Sequence, residues 1–308
     1  MARRKKGTPV HGWLALDKPC GLTSTAAVGA AKRLFDAAKA GHAGTLDPLA
    51  SGVLPIAFGE ATKTVSYIVD GAKSYRFTVR WGVETDTDDA EGKVIQESDG
   101  RPARDEVEAA LAAFTGEIMQ IPPSYSAIKV EGARAYDLAR GGEEFDIAAR
   151  PVVIDRLEIA EIPDADTCVL EADCGKGTYV RALARDLGRA LGCFGHVDAL
   201  RRTRVGPFND TGTISLDKLK EIGHSAAGRE GLLQVLEPVE TALDDIPALA
   251  VSGDDAARLK RGQAVLLRGR DAPILKGPVY TTSRGMLVAL GEVRHGEIRP
   301  KRVFNIQG

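Results

Sequence analysis

The chain has 308 residues, 44% of them hydrophobic and 27% charged, with a formal net charge of −2. That size permits a full core and about two domains, and the composition is that of an ordinary globular protein. No apolar run nears the roughly 20 residues that a membrane span needs, and the basic start Met1–Lys6 leads into no signal-peptide core, so a cytoplasmic location is expected.

In chain order, Gly12 to Asp17 reads as a strand ended by the turn Lys18-Pro19-Cys20-Gly21. Thr23 or Ser24 then caps a helix whose apolar face uses Val28, Ala31 and Phe35. Tyr75 to Trp81 alternates faces as a half-buried strand does. The acidic segment from Glu84 to Gly100 reads as an exposed, solvated loop. Val107, Ala110, Leu111 and Phe114 mark an amphipathic helix, and between Ile121 and Arg150 the pattern loses its period. β-type alternation returns from Val152 to Ile162 and from Thr167 to Asp173. Past Asp245, Ser252 caps a short helix over Asp254 to Arg261. Strand-like runs follow around Val265–Leu267, Val279–Thr281 and Met286–Leu290. The division predicted is one domain over 1–245 and a small β-rich one over 246–308.

Charge is unevenly spread. Gly82 to Glu108 carries ten acidic and three basic residues, whereas Val251 to Gly308 carries eleven basic and five acidic ones. A near-neutral total therefore leaves room for a phosphate-facing surface. The four cysteines (Cys20, Cys168, Cys174, Cys193) lack the paired spacing of a zinc site or a disulfide framework, and read as small hydrophobes or incidental thiols.

Three segments carry candidate chemistry. Gly41-His42-Ala43-Gly44-Thr45-Leu46-Asp47-Pro48 continues through Gly52 to Pro55. Its glycines admit close backbone approach, and Pro48 biases Asp47 away from helix. An acid held so rigidly suits a nucleophile or general base, although a lone Leu-Asp-Pro is more often a turn cap. Cys174 to Leu183 holds Gly177-Thr178-Tyr179-Val180-Arg181 at the start of a helix with Tyr179, Leu183, Leu187 and Leu191 every four residues. Arg181, Arg185 and Arg189 form a second stripe, and Arg185 and Arg189 read as a solvated face. The third segment runs from Gly195 to Gly206. His42 reads as a buried histidine, with no ligand cluster around it to suggest metal. By their own pattern Tyr75 and Leu200 read as core.

These segments, beginning at Leu16-Asp17-Lys18-Pro19 and running through Arg204, resemble the TruB family of tRNA pseudouridine synthases. The resemblance implies an α+β fold with a mixed, largely antiparallel central sheet and flanking helices, followed by a PUA-like RNA-binding domain. It implies isomerisation of uridine 55 in the T-loop of tRNA, with Asp47 catalytic. His42 would enter the stack vacated by the flipped base, Tyr75 would stack on the extruded uracil, and Tyr179, Arg181 and Leu200 would line the site. It further implies a thumb-like insertion near 122–150, no cofactor, no metal and no guide RNA. The basic tail Arg3–Lys6 reads as a solvated segment that could touch phosphate. A non-catalytic RNA-folding protein, a guide-RNA-dependent synthase and, more distantly, a small-molecule hydrolase remain open as alternatives.

Overall fold

The computed structural model describes residues 7–126, 128–130, 132–143, 145–267 and 275–306. The tail Arg3–Lys6 and Ala127 of the expected thumb lie outside the described residues. The strands are β1 (Gly12–Lys18), β2 (Ala40–His42), β3 (Ala50–Phe58), β4 (Lys73–Trp81), β5 (Val83–Thr85), β6 (Val94–Glu97), β7 (Gly116–Gln120), β8 (Lys129–Val130), β9 (Ala133–Arg134) and β10 (Arg150–Asp164). They continue with β11 (Thr167–Cys174), β12 (Gly195–Val205), β13 (Phe208–Asn209), β14 (Ile214–Ser215), β15 (Ala248–Ala250), β16 (Val265–Leu266), β17 (Gly277–Ser283), β18 (Met286–Arg294) and β19 (Glu297–Val303). The helices are α1 (Ser24–Leu34), α2 (Val65–Asp70), α3 (Arg104–Leu111), α4 (Ala135–Gly141), α5 (Val180–Ala190), α6 (Leu216–His224), α7 (Gly228–Gln234) and α8 (Gly253–Lys260).

Ten strands form one sheet in the order β14-β1-β3-β12-β4-β11-β10-β7, with β13 on β12 and β2 on β3. Only β1 with β14 and β3 with β12 pair in parallel; the remaining pairings described are antiparallel. The sheet is therefore mixed and largely antiparallel. β3 lies near its middle, and its run of eight buried residues out of nine is what covering on both faces requires. Alternation in β4 buries Phe77, Val79 and Trp81, and the core continues into Leu183 and Leu187 of α5. Gly188 lets α5 lie close on the start of β12: a Cβ there would stand 2.4 Å from the Gly195 nitrogen.

Thr23 caps α1, accepting from the Ala26 nitrogen, while Ser24 turns inward. Residues 122–150 hold the short hairpin of β8 and β9 followed by α4. The second sheet, ordered β15-β17-β18-β19-β16, packs on α8 through Ala256, Leu259, Val279, Val288 and Ile298. Its Leu287, Leu290 and Phe304 join Trp13, Ile68, Phe208 and Leu243 in one apolar cluster. Lys63 clasps the same seam, donating to the Val303 carbonyl at 2.7 Å.

The acidic segment is largely exposed from Glu91 to Gly100, as expected, but its first part differs from the expectation. Glu84, Thr85, Asp88 and Asp89 are buried, because the arginines of α5 neutralise them from the inside. Arg185 is likewise buried, and Arg189 forks onto Glu84 through its Nε and Nη2.

Candidate active site

Asp47 sits on the seven-residue connection between β2 and β3, and the run of carbonyls from Gly44 to Pro48 is fastened. Buried Arg202 of β12 donates to the carbonyls of Gly44 at 3.0 Å, Thr45 at 3.3 Å and Val53 at 2.9 Å. The Ser24 hydroxyl donates to the Leu46 carbonyl and accepts from the Leu46 nitrogen, both at 2.8 Å. Pro48 offers its carbonyl to the Gly21 nitrogen at 2.8 Å and to the Lys18 ammonium at 3.4 Å. The Asp47 carbonyl closes the turn on the Ala50 nitrogen at 3.1 Å. Gly52, with φ +98°, is obligatory: a Cβ there would meet the Arg202 carbonyl oxygen at 2.2 Å.

With its backbone so tied, the Asp47 side chain is left free to project, and it remains 38% exposed. Its partner is Arg181, in the first turn of α5, whose Nε lies 3.0 Å from Oδ2. Every other nitrogen of that buried guanidinium is engaged. Nη1 donates to the Thr87 carbonyl at 2.9 Å and lies 3.4 Å from Asp89, and Nη2 donates to the Tyr125 carbonyl at 3.0 Å. Arg181 is thus a fixed fork, held from three segments, that fixes the Asp47 carboxylate's orientation.

The start of α5 has no side-chain cap of its own. Buried Gln120, at the end of β7, supplies one: its Oε1 accepts from the Tyr179 nitrogen at 2.8 Å and its Nε2 donates to the Tyr179 carbonyl at 3.1 Å. Burial pushes the Tyr179 phenol above its ordinary value, and the charge of Asp47 adds to this. Tyr75 on β4, half-buried, is shifted the same way by burial, with Arg202 opposing and Asp47 reinforcing. Burial draws Lys18 and Arg202 below their ordinary values, partly offset by Asp47 in each case.

The structure thus brings together Asp47, Arg181, Tyr75 and Tyr179. His42 ends β2, paired opposite Ile56, at the start of the Asp47 connection. Its Nδ1 is buried without a partner among the described residues, and burial, then Arg202, lowers its pKa, so it is neutral at neutral pH. Leu200 pairs with Ala50 on one side and Phe77 on the other, and belongs to the apolar core. A hollow of about 740 Å³ between α3 and β10 contains none of these residues. Among the described residues, no group of three or more His, Cys, Asp and Glu side chains is placed to hold a metal.

Sequence reasoning missed Lys18, Ser24, Asp89, Gln120 and Arg202. A signal existed for Arg202, since period-two alternation puts it on the buried side with Leu200. None existed for Gln120 or Asp89, whose partners lie 59 and 92 positions away.

Residues 32–180 match the family described as TruB family pseudouridylate synthase (N terminal domain), and 181–244 match the tRNA pseudouridylate synthase B C-terminal domain. The protein named tRNA pseudouridine synthase B from Bradyrhizobium diazoefficiens is 63% identical over 99% of this chain and 89% of its own length. Its namesake from Brucella suis is 53% identical over 99% of both. Among solved structures, the archaeal box H/ACA sRNP Nop10-Cbf5 complex has a chain 26% identical at a TM-score of 0.72, covering 98% of this chain and 92% of that one. The H/ACA RNP bound to a substrate RNA containing 2'-deoxyuridine has one 25% identical at 0.73, covering 99% and 92%.

Proposed function

The chain belongs to the TruB family of pseudouridylate synthases, and on that premise we propose that it isomerises uridine 55 in the T-loop of tRNA to pseudouridine. Its relatives named tRNA pseudouridine synthase B support pseudouridine formation in tRNA as the broader activity. The observation that carries the finer reading is Asp47, projecting from a rigid connection against a guanidinium that has no other freedom.

The reaction breaks the N1–C1′ bond and rejoins the same uracil through C5. No atom is gained or lost, so it needs no redox cofactor, nucleotide or metal. A stacked uracil must first be turned out, at a cost of a few kcal/mol. His42, neutral and with an unpartnered ring nitrogen, fills the vacated stack, and Tyr75 stacks on the extruded base. Each base–aromatic contact offsets about 1–3 kcal/mol of that cost. Tyr179 and Leu200 line the site, Arg181 sets the carboxylate's orientation, and Asp47 acts on the nucleotide.

In this reading residues 1–245 are the catalytic domain, 122–150 form a thumb that closes on the T-stem-loop, and 246–308 are a PUA-like RNA-binding domain. The enzyme works in the cytoplasm and needs no guide. The solved neighbours are described as parts of ribonucleoproteins, which makes guide dependence the alternative to test. The test is mass-spectrometric mapping of an unmodified tRNA transcript incubated with the purified protein alone. Pseudouridine at position 55 is expected. Product only after a guide RNA is added, or tight binding with no product, would replace this reading.

A further inference from the structure

We propose that Asp88 and Arg185 form a positioning pair that holds Arg181 and the root of the thumb in register, so that the charge on Asp88 sets the rate of isomerisation and not the affinity for RNA. This rests on the activity proposed above.

Arg181 and Arg185 are one turn apart on α5 and grip the same two segments. Arg181 donates to the carbonyls of Thr87 and Tyr125. Arg185 pairs with Asp88, the residue after Thr87, at 2.9 Å, and donates to the carbonyl of Ile121, four residues before Tyr125, at 2.8 Å. The acidic turn and the thumb root are thus each held twice, and a shift at one arginine is passed to the other through a few bonds of backbone. The turn has little slack elsewhere, because the Asp88 carbonyl accepts from the Val197 nitrogen at 3.1 Å.

Asp88 is an expensive residue to keep. Its φ is +60°, in the left-handed region, and its carboxylate is buried. It faces Arg185, Arg181 and Arg189 on α5 and Glu84 on β5. The nearby His196 of β12 has its Nδ1 on the Val83 carbonyl at 2.8 Å, and Asp186 holds the Nε of Arg185 at 2.8 Å. Burial outweighs the three cations and pushes the Asp88 carboxyl up to about 6. That lies above the ordinary value, so folding makes the group easier to protonate, and the charge it still carries at neutral pH opposes folding. Stability alone does not account for a carboxylate here; fixing Arg185 does.

The test compares the intact wild-type chain with Asp88→Asn, measuring single-turnover rate and Kd for a T-stem-loop RNA between about pH 5 and 8. For the wild type, the rate should fall toward acid with a midpoint near 6 while Kd moves little. The variant should lack that midpoint and turn over about tenfold more slowly at the upper end, within what a small misplacement costs. A merely structural ion pair would lower the thermal midpoint and spare the rate measured well below the melting range, whereas the positioning pair slows that rate whatever the midpoint does. A wild-type rate flat through pH 6, or a variant with the wild-type rate and profile, overturns the proposal. Should Asp88→Asn not fold, a flat wild-type profile still overturns the proposal. A midpoint near 6 is assigned to Asp88 rather than to His42 by its persistence in His42→Asn. Arg185→Lys, which keeps the charge and loses the fork, should then also slow turnover at unchanged Kd, and a wild-type rate in that variant overturns the pair's role. Wild-type protein that makes no pseudouridine at any pH defeats the activity itself and this inference with it. A product that forms normally, with no dependence on Asp88, defeats the inference alone.

Discussion

Two acidic turns meet at Arg181, and they use their carboxylates in opposite ways. The turn carrying Asp47 is held by its backbone: buried Arg202, Ser24 and Lys18 take its carbonyls, and the one carboxylate is turned outward. The turn from Glu84 to Asp89 is held by its side chains as well as its backbone. Glu84, Asp88 and Asp89 turn inward onto Arg189, Arg185 and Arg181, and the Thr87 and Asp88 carbonyls are taken by Arg181 and the Val197 nitrogen. Fixing a loop through its backbone leaves a side chain available for chemistry, whereas fixing it through its carboxylates uses them up. An exposed acid can therefore sit in a rigid frame without contributing to that rigidity.

The sharpest way to break this comparison is Asp47→Asn. If the frame owes nothing to the carboxylate, the thermal midpoint should stay near wild type and RNA should still bind. Pseudouridine formation should fall by about a thousandfold or more, the upper part of the range for a group working directly on the reacting centre. A variant with near-normal turnover would remove Asp47 from the mechanism, and one that unfolds would show that the frame depends on it.

Next in size is Arg202→Met, which removes the fork holding three carbonyls while retaining most of the apolar bulk. Each unsatisfied buried acceptor costs about 1–3 kcal/mol, so a loss of about 3 kcal/mol is expected, with turnover falling alongside stability. Chemical denaturation and a rate measured well below the melting range would separate the two losses. Arg181→Lys comes third. A lysine keeps the charge but cannot reach Asp47, Thr87 and Tyr125 together, so turnover should fall by about a hundredfold with little change in Kd. Wild-type single-turnover kinetics would refute the positioning role.

The extent to which sequence predicted this arrangement follows the same division. The strand of Tyr75, the helix starting at Tyr179 and the cap at Thr23 are periodic or local features, and each formed where its own residues required. Asp47 stood out because glycines and a proline surround it within a few positions. Glu91 to Gly100, for the most part, and Arg189 are exposed as expected. The reading of Glu84 to Asp89 as solvated, and of Arg185 as part of an open face, failed because each was judged on its own element. Their charges cancel only across about 100 positions of chain, where local patterning carries no information. In the second sheet the expected runs correspond to β16, β17 and β18. β15 is only three residues long, and β19, with its proline and four charges in seven residues, lacks an apolar signature.

The smallest expected effect is also the most discriminating, because it contrasts two neighbouring hydroxyls. Thr23 and Ser24 are adjacent, yet Thr23 serves the first turn of α1 and Ser24 serves Leu46, 22 positions away. Thr23→Ala loses a helix cap, about 1 kcal/mol, and should leave turnover untouched. Ser24→Ala costs a similar or slightly larger amount, since it leaves both the Leu46 nitrogen and its carbonyl unpartnered in a buried place. That loss falls on the frame beside Asp47, so it should lower the isomerisation rate severalfold at constant Kd, within what loosened positioning costs. Equal rates for the two variants would mean that the connection keeps its shape without Ser24, and that the backbone of the Asp47 turn is held more redundantly than its hydrogen bonds suggest.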